Sequence, residues 1–314
     1  MKKLLTATIA ALALAGAHAQ ETKVAIGMSG WTGFAPLTLA KEAGIFKKNG
    51  LDVSIKKIPQ KDRHLAIASG DIQCAATTVE TWVAWNAAGV TTTQIFQLDK
   101  SFGADGMVVK PNITKISDLK GKTVAASAPG TAPYFTLAWM LKKNGLSPKD
   151  VKIVNLEPQA AANAMIAGNT DIDAAMTYEP FLSAVRAKPE AGKILATTLD
   201  YPMIMDTFGC TPKFLTDNAK AAKALADSYF EAVEMIQKDP KKSFEIMGAD
   251  VKQTAEQFEA SQKYLRWQDR AANQKFFAGE HAAFTKEAAD LLLEAGVIRA
   301  IPDLTKLADT RFLK

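Results

Sequence analysis

The chain has 314 residues, of which 48% are hydrophobic and 23% charged, with a formal net charge of +5. That length and composition exclude a disordered chain and allow a core large enough to divide into two lobes. The charge is too mild to imply a nucleic-acid partner.

The first element reads as a targeting signal. Lys2 and Lys3 precede an apolar run from Leu4 to Ala17, and Ala17-His18-Ala19 carries the small residues a signal peptidase accepts. The run is shorter than the ~20 residues a bilayer requires, and no cysteine follows the cleavage position. Residues 1–19 are therefore expected to be removed on export to the periplasm, which takes away two lysines and no acid and lowers the net charge from +5 to +3. Export permits a disulfide between Cys74 and Cys210, although the apolar run around Cys74 favours a buried, unpaired thiol.

The next segments alternate between short apolar runs and helical periodicity. "KVAIGM" from Lys23 predicts a strand, followed by the corner "SGWTG" and a helix over "PLTLAKEAGIFKKNGL". "KTVAA" from Lys122 predicts another strand, followed by "SAPGT" and a helix over "YFTLAWMLKKNGL". Both helices stop at Asn-Gly, which tolerates the left-handed conformation of a helix C-terminus, and both lead into a further strand, "LDVSIKKIP" and "DVKIVNLEP". "GDIQCAATTVETW" (70–82) and "NTDIDAAMTYEPF" (169–181) then match at Asp71, Ala75 and Thr77 against Asp171, Ala175 and Thr177. Three correspondences in the same order argue for a duplicated β-α-β-α-β lobe.

Alternating strands and helices build a parallel sheet, whose ligands bind beyond the carboxyl ends of the strands. Two such lobes place two such edges face to face. The corners carry Gly30, Gly33 and Gly130, where backbone N–H groups approach a ligand closely, and Ser29, Thr32, Ser127 and Thr131 as hydroxyl donors or helix caps.

The segments "FAPLTLAKEAGIFKKNGLDV", "ADGMVVK", "ISDLKGKTVAASAPGT" and "AAMTYEPFLSAV", with a "GD...AAT" strand end, carry a family resemblance. As a set covering roughly residues 22–215, they resemble the soluble substrate-binding proteins of ABC importers for nitrate, taurine and aliphatic sulfonates, the NMT1/THI5-like family. The resemblance implies an α/β, two-lobed periplasmic binding protein fold of type II, each lobe a mostly parallel sheet flanked by helices. Lobe 1 is expected to comprise residues 20–104 and 205–314, and lobe 2 residues 105–204. It also implies a monomer that delivers a small ligand to a membrane permease, with crossings near 103–108 and 199–208 acting as the hinge. The ligand positions it implies are Ser29 to Gly33, Thr77 and Thr78, Asp105, Ser127 to Ala132, and Thr177 to Glu179. Trp31, read as an exposed aromatic, and Tyr178 are placed on opposite sides of the ligand, while Trp82 and Trp85, one helical turn apart, are placed in the core.

Charge narrows the ligand. The corners contain no arginine or lysine, and all six arginines lie elsewhere in the sequence, whereas Glu80, Asp105 and Glu179 fall at corners. A simple inorganic anion fits this poorly. A taurine- or sulfonate-like zwitterion fits, with helix N-termini holding the anion and Asp105 or Glu179 the ammonium. A cationic or neutral nitrogen compound (amine, guanidine-like, ureide or pyrimidine thiamine precursor) remains open, as does a role for Glu179 confined to the dipole of the helix it precedes. An exported enzyme on the same fold is the reading of another class. Catalysis is not expected: no Gly-x-Ser-x-Gly elbow, phosphate loop or His-Glu-x-x-His pattern is present. His64 and His281 are solitary, so neither metal nor cofactor is expected.

In the last third, "NAKAAKALADSYFEAVEMIQKD" and "EHAAFTKEAADLLLEAGVI" have the spacing of helices packed on a lobe. "SQKYLRWQDRAANQ" reads as a surface turn, with lining of the cleft entrance by Arg266, Trp267 and Arg270 as the alternative.

Overall fold

A computed structural model describes residues 21–314; the expected signal segment, 1–19, lies outside the described residues. Eleven strands form two sheets. β1 (Thr22–Met28), β2 (Leu51–Lys57), β3 (Cys74–Thr78) and β4 (Thr93–Ser101) belong to the first, and the chain then crosses to the second. There it lays down β5 (Asp105–Val109), β6 (Thr123–Ala126), β7 (Lys152–Asn155), β8 (Ala174–Tyr178) and β9 (Lys193–Thr197). β10 (Met205–Cys210) and β11 (Leu265–Trp267) return to the first sheet. The strand orders are β11-β4-β10-β3-β1-β2 and β7-β6-β8-β5-β9.

The duplication read from the sequence is visible in both orders. β2-β1-β3 and β7-β6-β8 are parallel triplets, with Ile26 opposite Cys74 in one and Val124 opposite Ala174 in the other. Each triplet is completed by an antiparallel strand that has just crossed over. β10 runs against β3, and β5 runs against β8. This register sets Asp206 opposite Thr78 and Asp105 opposite Tyr178, so each crossing places one aspartate beside the carboxyl end of a ligand-corner strand.

Glycine ends the paired helices as the Asn-Gly words predict: Gly50 and Gly145 sit at φ 77° and 71°. The first helix is not continuous, however. Gly44 at φ 75° breaks it into Ala35–Glu42 and Ile45–Lys48, because the left-handed residue cannot continue an α-helical run. The counterpart Ala132–Lys143 runs unbroken.

Two corrections concern the edges and the cysteines. The "YLRW" stretch is not a surface turn: Leu265–Trp267 pairs with Ser101–Asp99 as an edge strand, and Trp267 Nε1 donates to the Gly33 carbonyl at 3.1 Å. Cys74 and Cys210 face each other on β3 and β10 and form a disulfide, so the apolar surroundings of Cys74 mark a buried bridge rather than a free thiol.

Trp82 and Trp85 are core residues, Trp82 with its indole N–H on the Thr207 hydroxyl at 2.7 Å. Helix Ala219–Lys238 packs Leu225, Tyr229, Phe230 and Val233 into the core of the first sheet. Helix His281–Glu294 instead inserts Phe284, Ala288 and Leu292 between Val83 of the first-sheet helix Val79–Ala87 and Phe135 and Trp139 beside the second sheet. Among the described residues no helix is long and apolar enough to cross a membrane.

Candidate ligand cleft

Where the two sheets face each other, a small cavity of about 20 Å³ is walled by residues from both. Ser29, Trp31, Thr78, Asp105 and Tyr178, all named from the sequence, line it together with Ala132 at the helix start of the second sheet. Phe34 and Ile204 complete the apolar wall, and three polar residues not anticipated there, Gln60, Arg63 and Asp206, complete the polar one.

Arg63 overturns the expectation that the cleft lacks a cation. Its side chain is 1% exposed. Nε donates to the Ile58 carbonyl at 2.8 Å and Nη1 to the Ala76 carbonyl at 2.7 Å, while Nη2 has no hydrogen-bond partner among the described residues. Burial lowers its pKa to about 10, which leaves the guanidinium charged at neutral pH. The residue escapes sequence reading because it begins a short helix, Arg63–Ala68, after the polar run Gln60–Asp62. Nothing in that run's periodicity distinguishes it from a solvated surface.

Acids surround this cation. Asp105 is 3% exposed, and its Oδ2 has no hydrogen-bond partner among the described residues. Burial pushes its pKa up to about 7, with the charge of Glu179 adding to the effect. Asp206 and Asp99 lie opposite each other on β10 and β4, and burial raises both well above the usual carboxylate range. Glu80 accepts a hydrogen bond from the Thr78 hydroxyl, and burial lifts its pKa to about 8.

Trp31 is buried, not exposed as its glycine neighbours suggested. Its Nε1 donates to both Asp99 oxygens at 3.3 Å, and its ring meets Tyr178 edge-on at 5.3 Å between centroids. The two aromatics therefore touch each other across the cleft instead of standing apart. Gly33 makes this possible: a Cβ there would lie 2.2 Å from Asp99 Oδ2 and from Trp31 Nε1.

The remaining sequence candidates stand behind the wall. Thr32 is fully buried, its hydroxyl without a partner among the described residues. Thr77 accepts from Gln60 Nε2 at 2.8 Å, Ser127 donates to the Leu156 carbonyl at 3.4 Å, Thr131 to that of Ala128 at 2.7 Å and Thr177 to that of Pro158 at 2.9 Å. Gly130 offers its carbonyl to the Thr81 hydroxyl, and Gly30 lines a separate outer cleft of about 710 Å³ with Lys57, Phe181 and Asp250. Glu179 does not line the inner cavity. Its carboxylate is held by the Arg186 guanidinium and by the Ser183 backbone N–H, because Arg186 lies on the helix that Glu179 precedes. The helix N-terminus at Ala132, expected to hold an anion, instead gives its N–H to Gln60 Oε1 at 3.1 Å.

The family model described as NMT1/THI5 like matches residues 31–243. The chain belongs to the NMT1/THI5-like family. The taurine-binding periplasmic protein of Escherichia coli K12 is 31% identical over 231 residues, 71% of this chain and 69% of the relative. A putative aliphatic sulfonates-binding protein of Bacillus subtilis 168 is 31% identical over 189 residues, 57% of this chain and 54% of its own. The alkanesulfonate-binding protein SsuA from Xanthomonas axonopodis pv. citri, solved bound to MOPS, superposes with a TM-score of 0.79 at 17% identity, covering 93% of this chain and 99% of that one. At that identity the likeness shows the two-lobed periplasmic binding fold of type II that this NMT1/THI5-like chain shares with its neighbours.

Proposed function

We propose that this chain is the periplasmic solute-binding component of an ABC importer, which takes a small taurine- or sulfonate-like zwitterion into the cleft and passes it unchanged to a membrane permease. It acts as a monomer whose lobes divide at 104/105 and 204/205, with Ser29, Trp31, Gln60, Arg63, Thr78, Asp105, Tyr178 and Asp206 around the ligand. The observation that carries the reading is one cavity lined by both Arg63 and Asp105, whose Nη2 and Oδ2 each lack a partner among the described residues. Buried charges of opposite sign without partners are costly, and a ligand with one anionic and one cationic end satisfies both. A simple amine leaves Arg63 unpaired and a simple sulfonate leaves Asp105 unpaired. The relatives named for taurine and aliphatic sulfonates support the same ligand class.

A cavity of about 20 Å³ holds about one water. A molecule of taurine's size therefore enters only when the walls part, which supports opening and closing about the two crossings.

Calorimetric titration with taurine tests the function and its pH dependence together. Taurine stays zwitterionic over the range used, while Asp105 keeps its proton up to about pH 7. An ammonium needs the carboxylate, so binding below that pH displaces a proton, and affinity is expected to fall by up to about tenfold per pH unit as pH drops from about 7 to about 5.5. The ligand-free fold has the opposite sign. Asp105 and Glu80 have folded pKa values above the unfolded range, so their contribution to stability is complete below about pH 4 and is lost progressively as pH rises from there to about 7 and about 8. One molecule bound per chain and recovered chemically intact is the expected result. Consumption of the compound, or affinity that strengthens in acid, contradicts the proposal.

A further inference from the structure

Gln60 opens the single turn Gln60–Asp62 between β2 and helix Arg63–Ala68, and its carboxamide spans the two sheets. The two N–H groups of Nε2 are shared among the hydroxyls of Thr77, Thr78 and Thr81 at 2.8, 3.2 and 2.9 Å, all on β3 or the helix that follows it. Oε1 accepts the N–H of Ala132, the first residue of helix Ala132–Lys143 on the other sheet. Beside it the Thr81 hydroxyl donates to the Gly130 carbonyl at 3.1 Å. The approach at this point is close: Gly130 has φ +84°, and a Cβ there would lie 3.3 Å from Ala84 Cβ. A carboxamide is suited to the position because it combines N–H donors with a carbonyl acceptor in one planar group. The hydroxyls on one side and the helix N–H on the other use both.

We infer that Gln60 is a positioning residue that latches the two lobes in the closed form, populating that form even before a solute binds. The inference rests on the two-lobed, solute-binding reading above. By holding the Ala132 N–H, the latch also takes that donor from the ligand, while Arg63 Nη2 stays available to an anionic end. Closure and the placement of the anion are thus set by one side chain.

The test compares the parent exported chain with Gln60→Leu and Thr81→Val, each by X-ray scattering without ligand and by stopped-flow release of taurine. Gln60→Leu keeps the bulk and deletes every hydrogen bond of the latch. Thr81→Val deletes one cross-cleft bond with little change of shape, and it carries the test if the leucine variant does not fold. Both are expected to increase the ligand-free radius of gyration. Taurine is expected to leave Gln60→Leu about tenfold faster and Thr81→Val a few-fold faster, since one net hydrogen bond corresponds to roughly a few-fold to tenfold. A ligand-free radius equal to the parent's in the folded variants overturns the latch, whatever happens to affinity, because a plain ligand contact leaves the empty protein unchanged. Failure of taurine to bind the parent contradicts the proposed function instead, and the ligand-free radii still decide the latch.

Discussion

Arg63→Met is expected to weaken taurine and ethanesulfonate about ten- to a hundredfold or more. The charge-assisted hydrogen bond it removes is worth roughly 1.5–3 kcal/mol, and 1.4 kcal/mol is about a factor of ten. The same change takes the one cation away from a wall that also carries Asp206, whose ionised form the Arg63 charge favours, so that acid is pushed further toward its neutral form. Arg63→Lys keeps the charge but not the planar fork that donates to Ile58 and Ala76 while leaving Nη2 free. It is expected to fall between the parent and the methionine variant. Calorimetry reads the affinities, and circular dichroism confirms that the variants fold. Undiminished sulfonate affinity in a folded Arg63→Met protein places the anion away from Arg63 and withdraws the charge assignment of the cleft.

Removing the disulfide by Cys74→Ala with Cys210→Ala is expected to cost about 2–5 kcal/mol of stability. The bridge joins residues separated by 136 positions, and closing so long a loop removes much of the freedom of the unfolded chain. Affinity is expected to change little. Cys74 and Cys210 tie β3 and β10 together within the sheet, whereas Thr78 and Asp206 meet the cavity at the far ends of those strands. Urea unfolding of the oxidised parent, the reduced parent and the double variant measures the effect. Coincident curves mean that the bridge does not contribute as the loop argument requires.

The two-sheet architecture was legible because strand and helix periods alternate cleanly and because the duplicated words sit in register. Ser29, Trp31, Thr78, Asp105 and Tyr178 were legible for the same reason: they fall at strand ends, which parallel sheets point at their ligands. Asp206 was within reach but missed. Extending the duplication from the corners to the crossing strands aligns "ADGMVV" at Asp105 with "MDTFGC" at Asp206, and the registers against Tyr178 and Thr78 bear out that equivalence. Arg63 and Gln60 were not legible. The burial of Arg63 and the contacts of Gln60 depend on Phe34, Ala76 and Ala132, which arrive from three separate segments, while the local run Gln-Lys-Asp-Arg looks like any exposed turn. The contact of Glu179 was not legible for a related reason: its partner Arg186 lies at the far end of the helix that Glu179 precedes, and a charge already paired within the protein is less available to a ligand.

The central claim, that one cavity holds both ends of a zwitterion, is tested most directly by titrating the parent protein with taurine, ethanesulfonate and ethylamine at about pH 8, where Asp105 is ionised. Each half-molecule keeps one pole and leaves the opposite buried charge of the protein unpaired, so taurine is expected to bind at least about tenfold more tightly than either. Ethanesulfonate or ethylamine binding as tightly as taurine contradicts the account, because one of the two buried charges then has no part in recognition.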